Sequence, residues 1–182
     1  FAGRYTDWKN WPLAIEIVKK LNVELKDRLY VKMAVGCLDE KAEKATKRMF
    51  DLLERMLGNR FSGKINVNLS EMNKFYYNID IFILTSKYNT ESFGRTLVEA
   101  MSRKKIVLTT NAGGSVEVVG NQKNVCDTAD EFKNRILELF NNEELMKNEK
   151  EMNFIRVKNK YSLKNNIDKH KELYYSLLTD ST

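Results

Sequence analysis

The feature that most constrains the fold of this 182-residue chain is the segment spanning residues 80–102. Ile81–Leu84 is an apolar run of β-branched and aromatic residues, typical of a strand that is buried on both faces of a parallel sheet. Residues 85–90 are polar and predict a loop, and helical spacing of apolar residues then predicts a helix that begins near Phe93 or Gly94. Such a loop opens at the carboxyl end of its strand, where open α/β sheets bind ligands.

Two carboxylates, Glu91 and Glu99, frame the start of this predicted helix. Gly94 lacks a Cβ, so a ligand can approach the backbone, and the first helical turn offers unpaired N–H groups that suit phosphate. Glu99 lies roughly 7.5 Å further along the helix axis, and a carboxylate can accept hydrogen bonds from two neighbouring sugar hydroxyls. Considered by their spacing alone, the two acids would be interpreted as exposed surface groups. In this context we expect an elongated ligand with its phosphates at the helix start.

Strands and helices alternate along the whole sequence. The pattern predicts a first strand ending at Gly3-Arg4 and a first helix beginning at Trp11; further strands are predicted at residues 29–36, 60–62, 81–84, 106–110 and 124–126, and further helices at 40–57, 69–77, 115–119, 130–140, 143–158 and 163–178. This order predicts the α/β class, with a Rossmann-like, doubly wound parallel sheet of about six strands and extra C-terminal helices.

The predicted topology brings two distant loops together. In the common strand order 3-2-1-4-5-6, the ligand crevice opens between strands 1 and 4. Arg4 follows strand 1, and Glu91 and Gly94 follow strand 4. We therefore expect the loop after Arg4 and the loop that carries Glu91 to lie side by side.

Charge and composition limit the classes of partner. Lys and Arg number 31 against 25 Asp and Glu, a formal net charge of +6. This surplus fits an anionic small ligand or loose contact with an acidic membrane surface, and a solvated basic face explains it equally well. The Lys-rich stretch 147–160 also carries Glu149 and Glu151, so we interpret it as a solvated helix face and predict no nucleic-acid partner.

The cysteines favour a reducing compartment. Cys37 and Cys126 are far apart and have neither metal-binding nor redox spacing, which predicts two reduced thiols and a cytoplasmic location. One His and two Cys cannot form a typical structural zinc site. No apolar run approaches the roughly 20 residues that span a bilayer. The sequence does not decide whether the full protein contacts the inner face of the membrane.

The motifs resemble those of one enzyme family. Glu91-Ser92-Phe93-Gly94 with Glu99-Ala100-Met101 resembles the E-x7-E motif of retaining glycosyltransferases of the two-domain GT-B architecture, especially glycosyltransferase family 4, also called group 1. Gly3-Arg4 with Lys9 resembles the family's G-R…K-G element, although Asn10 stands where the family has Gly.

This resemblance implies roles for individual residues. Arg4 and Lys9 would hold the donor diphosphate in place of a metal ion, and Glu91 would hold hydroxyls of the donor sugar, which makes these three the predicted catalytic residues. Glu99 would hold the ribose. The predicted donor-binding set is Gly3, Lys64, Ile65, Ser92, Phe93, Gly94, Arg95 and Glu99.

Other segments extend the resemblance over nearly the whole chain. Phe61-Ser62-Gly63 resembles the family's strand-end glycine, which would place Lys64 and Ile65 near the nucleotide base. Gly113-Gly114 followed by Glu117 resembles a glycine pair of the family, but a sharp turn between strand and helix explains it equally well. Tyr161-Ser162-Leu163 resembles the terminal segment of the family's proteins.

The predicted function is therefore that of a donor-binding domain, residues 1–182, from which the N-terminal acceptor domain of the full enzyme is missing. The donor would be a nucleotide sugar, with a UDP-sugar favoured, and the acceptor is unknown. By resemblance, the transfer would retain the anomeric configuration and need no metal or other cofactor. The missing domain would pack against the crevice and the last helix, so we expect the isolated fragment to be inactive. The alternative is a non-catalytic nucleotide-binding or protein-interaction module with the same fold.

Three aromatic or imidazole side chains invite functional interpretations. Trp8 and Trp11 flank the first loop and could wall a sugar site, although anchoring of the helix start in the core is favoured. His170 falls in an apolar stripe at helical spacing, so we predict a packed or interface histidine and no catalytic role.

Overall fold

Five parallel strands form two small sheets, in accordance with the predicted α/β class. The structure, a computed structural model, describes residues 1–179. The first sheet has the order β1-β2-β3 and the second pairs β4 with β5. The strands are β1 (Ala2–Arg4), β2 (Val31–Gly36), β3 (Phe61–Ile65), β4 (Ile81–Leu84) and β5 (Ile106–Thr109).

The strand order follows the predicted topology, with two differences. Within residues 1–179, no hydrogen-bonded ladder joins β1 to β4, so the sequence 3-2-1 and the pair 4-5 form separate sheets. The predicted sixth strand at 124–126 is reduced to a single parallel bridge between Thr109 and Val125. A short 3-10 turn, Gln122–Asn124, occupies the residues just before that bridge, which leaves too few extended residues for a ladder.

The third strand is longer than the sequence pattern predicted. Gly63 was expected to end it, yet β3 continues to Ile65 in parallel register with β2. A Cβ on Gly63 would lie 2.5–2.8 Å from three ring atoms of Phe50. The glycine therefore leaves the space that the Phe50 ring occupies beside the strand, and it does not break the strand.

Helices connect and cover the strands. Asp39 and Thr128 cap α2 and α6 by accepting hydrogen bonds from Ala42 and Glu131 backbone N–H groups, as short polar residues commonly do at helix starts. The helices are α1 (Trp11–Leu25), α2 (Glu40–Leu57), α3 (Leu69–Tyr77), α4 (Arg95–Met101), α5 (Gly114–Val119), α6 (Ala129–Phe140), α7 (Glu143–Lys160) and α8 (Leu163–Thr179).

Strands β2, β4 and β5 each contribute side chains to two separate apolar layers. On β5, Ile106 and Leu108 are buried in the cluster that holds the apolar faces of α1, α2 and α6, whereas Val107 is buried in the cluster that holds those of α3, α4 and α5. Successive residues of a strand point to opposite faces, so helices cover both faces of the sheets. This is the doubly wound arrangement that the βα alternation predicted.

A buried ionic network links the helices that follow the last strand. The Arg135 guanidinium donates to the Glu149 carboxylate at 2.7 Å and to Asn124 Oδ1 at 2.8 Å. Asn121 and Asn124 donate to the two Glu149 oxygens at 2.7 and 2.9 Å. Arg135 also donates to Glu138, whose side chain is half exposed. The network thereby fixes α6 and α7 to the turn after α5.

The last helix exposes apolar side chains. His170 is exposed on it, with Nδ1 2.7 Å from the Asn166 carbonyl oxygen, so it is not packed into the core of this chain, contrary to one of the two expectations. The exposed apolar residues of α8 include Leu163, Ile167, Leu173, Tyr174 and Leu178.

Among the helices of residues 1–179, none has the combined length and apolarity that crossing a bilayer requires.

The buried network yields a stability prediction. We expect Glu149→Ala to lower the free energy of unfolding by about 3–5 kcal/mol, because it leaves the Arg135 cation buried without its buried carboxylate. Glu138→Ala removes an exposed partner of the same guanidinium and should cost no more than about 1 kcal/mol. Urea denaturation of both variants measures the difference, and equal losses would contradict this interpretation.

Candidate functional site

The loop after β1 and the loop after β4 lie side by side, as the topology predicted. The Thr85 hydroxyl donates to the Lys9 carbonyl oxygen at 2.9 Å, and the Lys87 backbone N–H donates to the Trp8 carbonyl oxygen at 2.8 Å. The Lys87 ammonium also pairs with Asp7 at 2.5 Å. These contacts hold the two loops together at the carboxyl ends of the strands.

An ion pair between Lys9 and Glu91 joins the two loops. Both side chains are largely buried, with exposed fractions of 15% and 13%. The Ser86 hydroxyl donates to the same Glu91 oxygen at 2.5 Å. The Lys9 side chain lies over Gly3, where an added Cβ would stand 3.4 Å from Lys9 Cε. The predicted catalytic pair is therefore brought into direct contact, with Gly3 beneath it.

A cleft of about 960 Å³ opens between these loops. Its lining includes nine of the eleven predicted site residues, and it also carries Arg103, so four basic and two acidic side chains face it. Within residues 1–179 the Arg4 guanidinium has no hydrogen-bond or ion-pair partner. The excess of positive charge suits an anionic ligand. The predicted site residues in the lining are Gly3, Arg4, Lys9, Glu91, Ser92, Phe93, Gly94, Arg95 and Glu99.

Helix α4 begins where the sequence predicted it, next to Phe93 and Gly94. Gly94 caps the helix with φ +86°, a left-handed conformation that favours glycine. Its neighbour Phe93 packs edge-to-face against Tyr161, with ring centroids 5.3 Å apart. Gly94 lines the cleft, and a Cβ on it would lie 2.9 Å from Leu97 Cδ1, so both the left-handed turn and the packing of α4 require glycine.

The Gly113-Gly114 pair supports the Glu91 loop from behind. The Gly114 N–H donates to the Glu91 carbonyl oxygen at 2.8 Å, and the Glu91 N–H donates to the Ala112 carbonyl oxygen at 2.8 Å. A Cβ on Gly114 would overlap the Ser92 carbonyl group. The absence of a side chain on Gly114 is thus what lets the loop approach, so the pair acts on the site through the backbone.

Glu99 lies at the other end of the cleft and is held by two donors. The Tyr76 hydroxyl donates to Glu99 Oε2 at 2.8 Å, and Arg95 Nε lies 3.4 Å from Glu99 Oε1. Tyr76 is only 1% exposed. Burial is the main cause, and the nearby Glu99 carboxylate the second cause, of a pKa of the Tyr76 phenol well above its ordinary value. The phenol therefore stays protonated and donates.

Two predicted donor-binding residues do not line the cleft. Lys64 is on β3, and its ammonium pairs with Glu71 at 2.9 Å, while Ile65 packs against the core. Because β3 extends through Ile65, the turn that reaches the cleft begins one residue later. Asn66 and Val67 line the cleft instead.

Sequence reasoning missed the wall contributed by α3. Met72, Asn73 and Tyr76 line the cleft, and so does Arg103 after α4. Arg103 donates to Asn73 and stacks over Tyr76, with Cζ 5.3 Å from the ring centroid. Two spacings in the sequence could have indicated these residues: Met72 and Tyr76 are separated by four positions, and so are Glu99 and Arg103. Residues at this spacing lie on the same face of a helix.

The two tryptophans have different environments. Trp11 is 5% exposed, and its indole N–H donates to the Arg4 carbonyl oxygen at 3.2 Å, so it anchors the helix start as expected. Trp8 is 43% exposed and lines the cleft, so the favoured expectation that it anchors the core is wrong for this residue.

The rest of the described chain offers little else for a charged ligand. Within residues 1–179, no group of three or more His, Cys, Asp or Glu side chains could hold a metal ion. A second cavity of about 530 Å³ lies at the amino ends of the strands, between Tyr30 and Ile81. Apolar side chains line most of it, among them Val18, Leu21, Leu25 and Ile136, which does not suit an anion.

The family profile of the Glycosyl transferases group 1 matches residues 1–156. The chain belongs to this family. It is 32% identical over 154 residues to a probable sucrose-phosphate synthase of Thermosipho melanesiensis, which covers 80% of this chain and 34% of that protein. The resemblance inferred from the Arg4 and Glu91 segments is thereby confirmed at the level of the family.

Solved glycosyltransferase structures share the fold. A glycosyltransferase from Rickettsia africae superposes with a TM-score of 0.77 at 27% identity, over 97% of this chain and 46% of that one. Anabaena HepE, solved in complex with UDP, gives 0.77 at 19% identity over 96% of this chain and 47% of that one. The group 1 chain therefore spans about half the length of these two structures, and about a third of the length of its curated relative.

The glycine support of the Glu91 loop can be tested directly. We expect Gly114→Ala to lower the free energy of unfolding by about 1–3 kcal/mol, because the new Cβ forces the loop backbone away. Hydrogen exchange at the Glu91 amide should speed up, since its bond to the Ala112 carbonyl would be disturbed. Asn111→Ala, at an exposed position of the same turn, is the matched control and should change neither measurement.

Proposed function

We propose that this chain binds the nucleotide-sugar donor of a group 1 glycosyltransferase that has the GT-B architecture. The favoured donor is a UDP-sugar, and the proposed transfer to an acceptor retains the anomeric configuration. The observation that carries the proposal is the shared cleft, which is lined by Arg4 at the end of β1, by Lys9 in the loop after it, and by Glu91 and Gly94 after β4.

The cations are suited to a diphosphate leaving group. As the glycosidic bond breaks, negative charge develops on the diphosphate, and Arg4, Lys9 and the N–H groups that begin α4 would stabilise it. Such preorganised groups are commonly the largest catalytic contribution, with single groups costing roughly 3–4 kcal/mol when removed. Lys9 is already held by Glu91, so its position is set before the donor arrives.

The carboxylates are suited to the hydroxyl groups of the donor. Glu91 would accept from hydroxyls of the donor sugar and Glu99 from the ribose, with the phosphates between them near Gly94. The cleft volume of about 960 Å³ lies in the range of small-molecule sites, about 300–1,000 Å³. Glu91, Gly94 and Glu99 all line this one cleft, so the residues proposed for the sugar, the phosphates and the ribose border the same space.

The relatives favour a uridine nucleotide. Anabaena HepE has been solved with UDP and with UDP-glucose, and a mutant of S. aureus TarM has been solved with UDP among its ligands. We infer from these proteins that UDP is the first nucleotide to test. With Arg4 and Lys9 in place of a metal ion, we propose that binding requires no divalent cation.

We further propose that the acceptor site belongs to a second domain. This chain spans about a third to a half of the length of these relatives, which leaves room for such a domain in the full proteins. The exposed apolar residues of α8, including Leu163, Ile167 and Tyr174, would pack on that domain.

Nucleotide titration tests the proposed site. We expect the chain to bind UDP, and Arg4→Ala and Glu99→Ala each to weaken binding about 10- to 100-fold, because each removes a charged hydrogen-bond partner of the ligand. Isothermal titration calorimetry with UDP, GDP and ADP measures this. Arg55→Ala and Glu54→Ala, at exposed positions on α2, are the matched controls and should bind like wild type.

Two outcomes would contradict the proposal. Failure of all three nucleotides to bind would favour a protein-interaction module that has kept the fold. Loss of binding when EDTA is added would show that a divalent cation is needed and that Arg4 and Lys9 do not replace it.

The isolated chain should not catalyse transfer at a rate typical of an enzyme. We expect it to bind the donor without transferring sugar to simple acceptors, because the acceptor site is proposed to lie elsewhere. Release of UDP from UDP-sugars, compared with and without sugar acceptors, provides the measurement. Acceptor-dependent release at several turnovers per second would overturn the two-domain assignment.

A further inference from the structure

We propose that Tyr76 is a positioning residue of the donor site, which fixes the Glu99 carboxylate so that its free lone pairs face the ribose hydroxyls. The inference rests on the proposed function, because it assigns a role within the same cleft. It concerns a residue of α3 rather than of the two loops that carry the family motifs.

The first observation is the contact between the two side chains. The Tyr76 hydroxyl donates to Glu99 Oε2 at 2.8 Å, while Arg95 Nε approaches the other oxygen at 3.4 Å. The Glu99 side chain keeps 36% of its surface exposed. An ionised carboxylate offers about four lone-pair sites, so these two donors leave acceptor capacity on both oxygens for the cleft.

The second observation is the rigidity of the phenol. Tyr76 is 1% exposed, and its ring packs against Phe75 and Phe82, with centroids 5.4 and 5.7 Å away. The Arg103 guanidinium covers it at 5.3 Å. A buried ring surrounded in this way cannot follow a moving carboxylate, so the carboxylate takes its orientation from the ring.

The third observation is that packing does not account for the Tyr76 hydroxyl. Phenylalanine would fill the same apolar volume between Phe75 and Phe82, so packing alone does not require a hydroxyl at this position. The only hydrogen bond that the described residues give the Tyr76 hydroxyl is the one to Glu99. A purely structural link between α3 and α4 would use the same contact, and therefore the test must depend on the ribose.

The test compares nucleotides that differ only in the ribose. Calorimetry on the full 182-residue chain would use UDP, GDP and ADP, each paired with its 2′,3′-dideoxy analogue, which lacks both ribose hydroxyls. For the nucleotide that binds, wild type should prefer the ribose form at least about tenfold. Tyr76→Phe should reduce this preference about fivefold to tenfold and change the affinity for the dideoxy form less than twofold.

Control variants separate positioning from folding. Tyr77→Phe, at an exposed neighbouring position, should keep the wild-type preference. Glu99→Gln should lose most of the preference by itself, and Tyr76→Phe added to it should then have no further effect. Because this background isolates the coupling, it remains informative even if Tyr76→Phe lowers the melting temperature.

The outcomes are distinct. Equal weakening of the ribose and dideoxy forms by Tyr76→Phe, or an unchanged preference, would overturn the positioning role and leave the proposed function intact. An additive effect of the two substitutions would also overturn it. Failure of wild type to bind any of the three nucleotides would overturn the proposed function and this inference together.

Discussion

The site depends on the contact between two loops that belong to different sheets. Within residues 1–179 no strand ladder joins β1 to β4, so the junction is made by loop atoms. Thr85 and Lys87 bond to the backbone of the first loop, and Lys9 pairs with Glu91. Because backbone and charged groups share the junction, the two halves of the cleft are held in a fixed relation.

The Lys9–Glu91 pair illustrates how the fold handles charge that it removes from water. Desolvation of two ions is costly unless each finds good partners, and here the Ser86 hydroxyl supplies a further bond to Glu91. Groups ordered in this way need little reorganisation when a charged ligand arrives. Arg4 differs because it is exposed at the cleft and has no partner within residues 1–179, so its charge is available to an anion.

Glycines set how closely the backbone segments around the site can approach. Gly114 lets the Glu91 loop approach, and Gly63 lets the Phe50 ring lie against β3. The first position acts on the site and the second on the core. Gly94 serves a third purpose, because it adopts the left-handed conformation that begins α4.

The sequence by itself determined the alternation of strands and helices, the class of fold and the meeting of the Arg4 and Glu91 loops, because hydrophobic period and chain order dictate these features. Only the tertiary structure decided which side chains complete the cleft. Tyr76 reaches Glu99 from another helix, and Asn66, rather than Lys64, lines the cleft because β3 runs on to Ile65. Such neighbours depend on strand register and packing distance, which local sequence patterns do not encode.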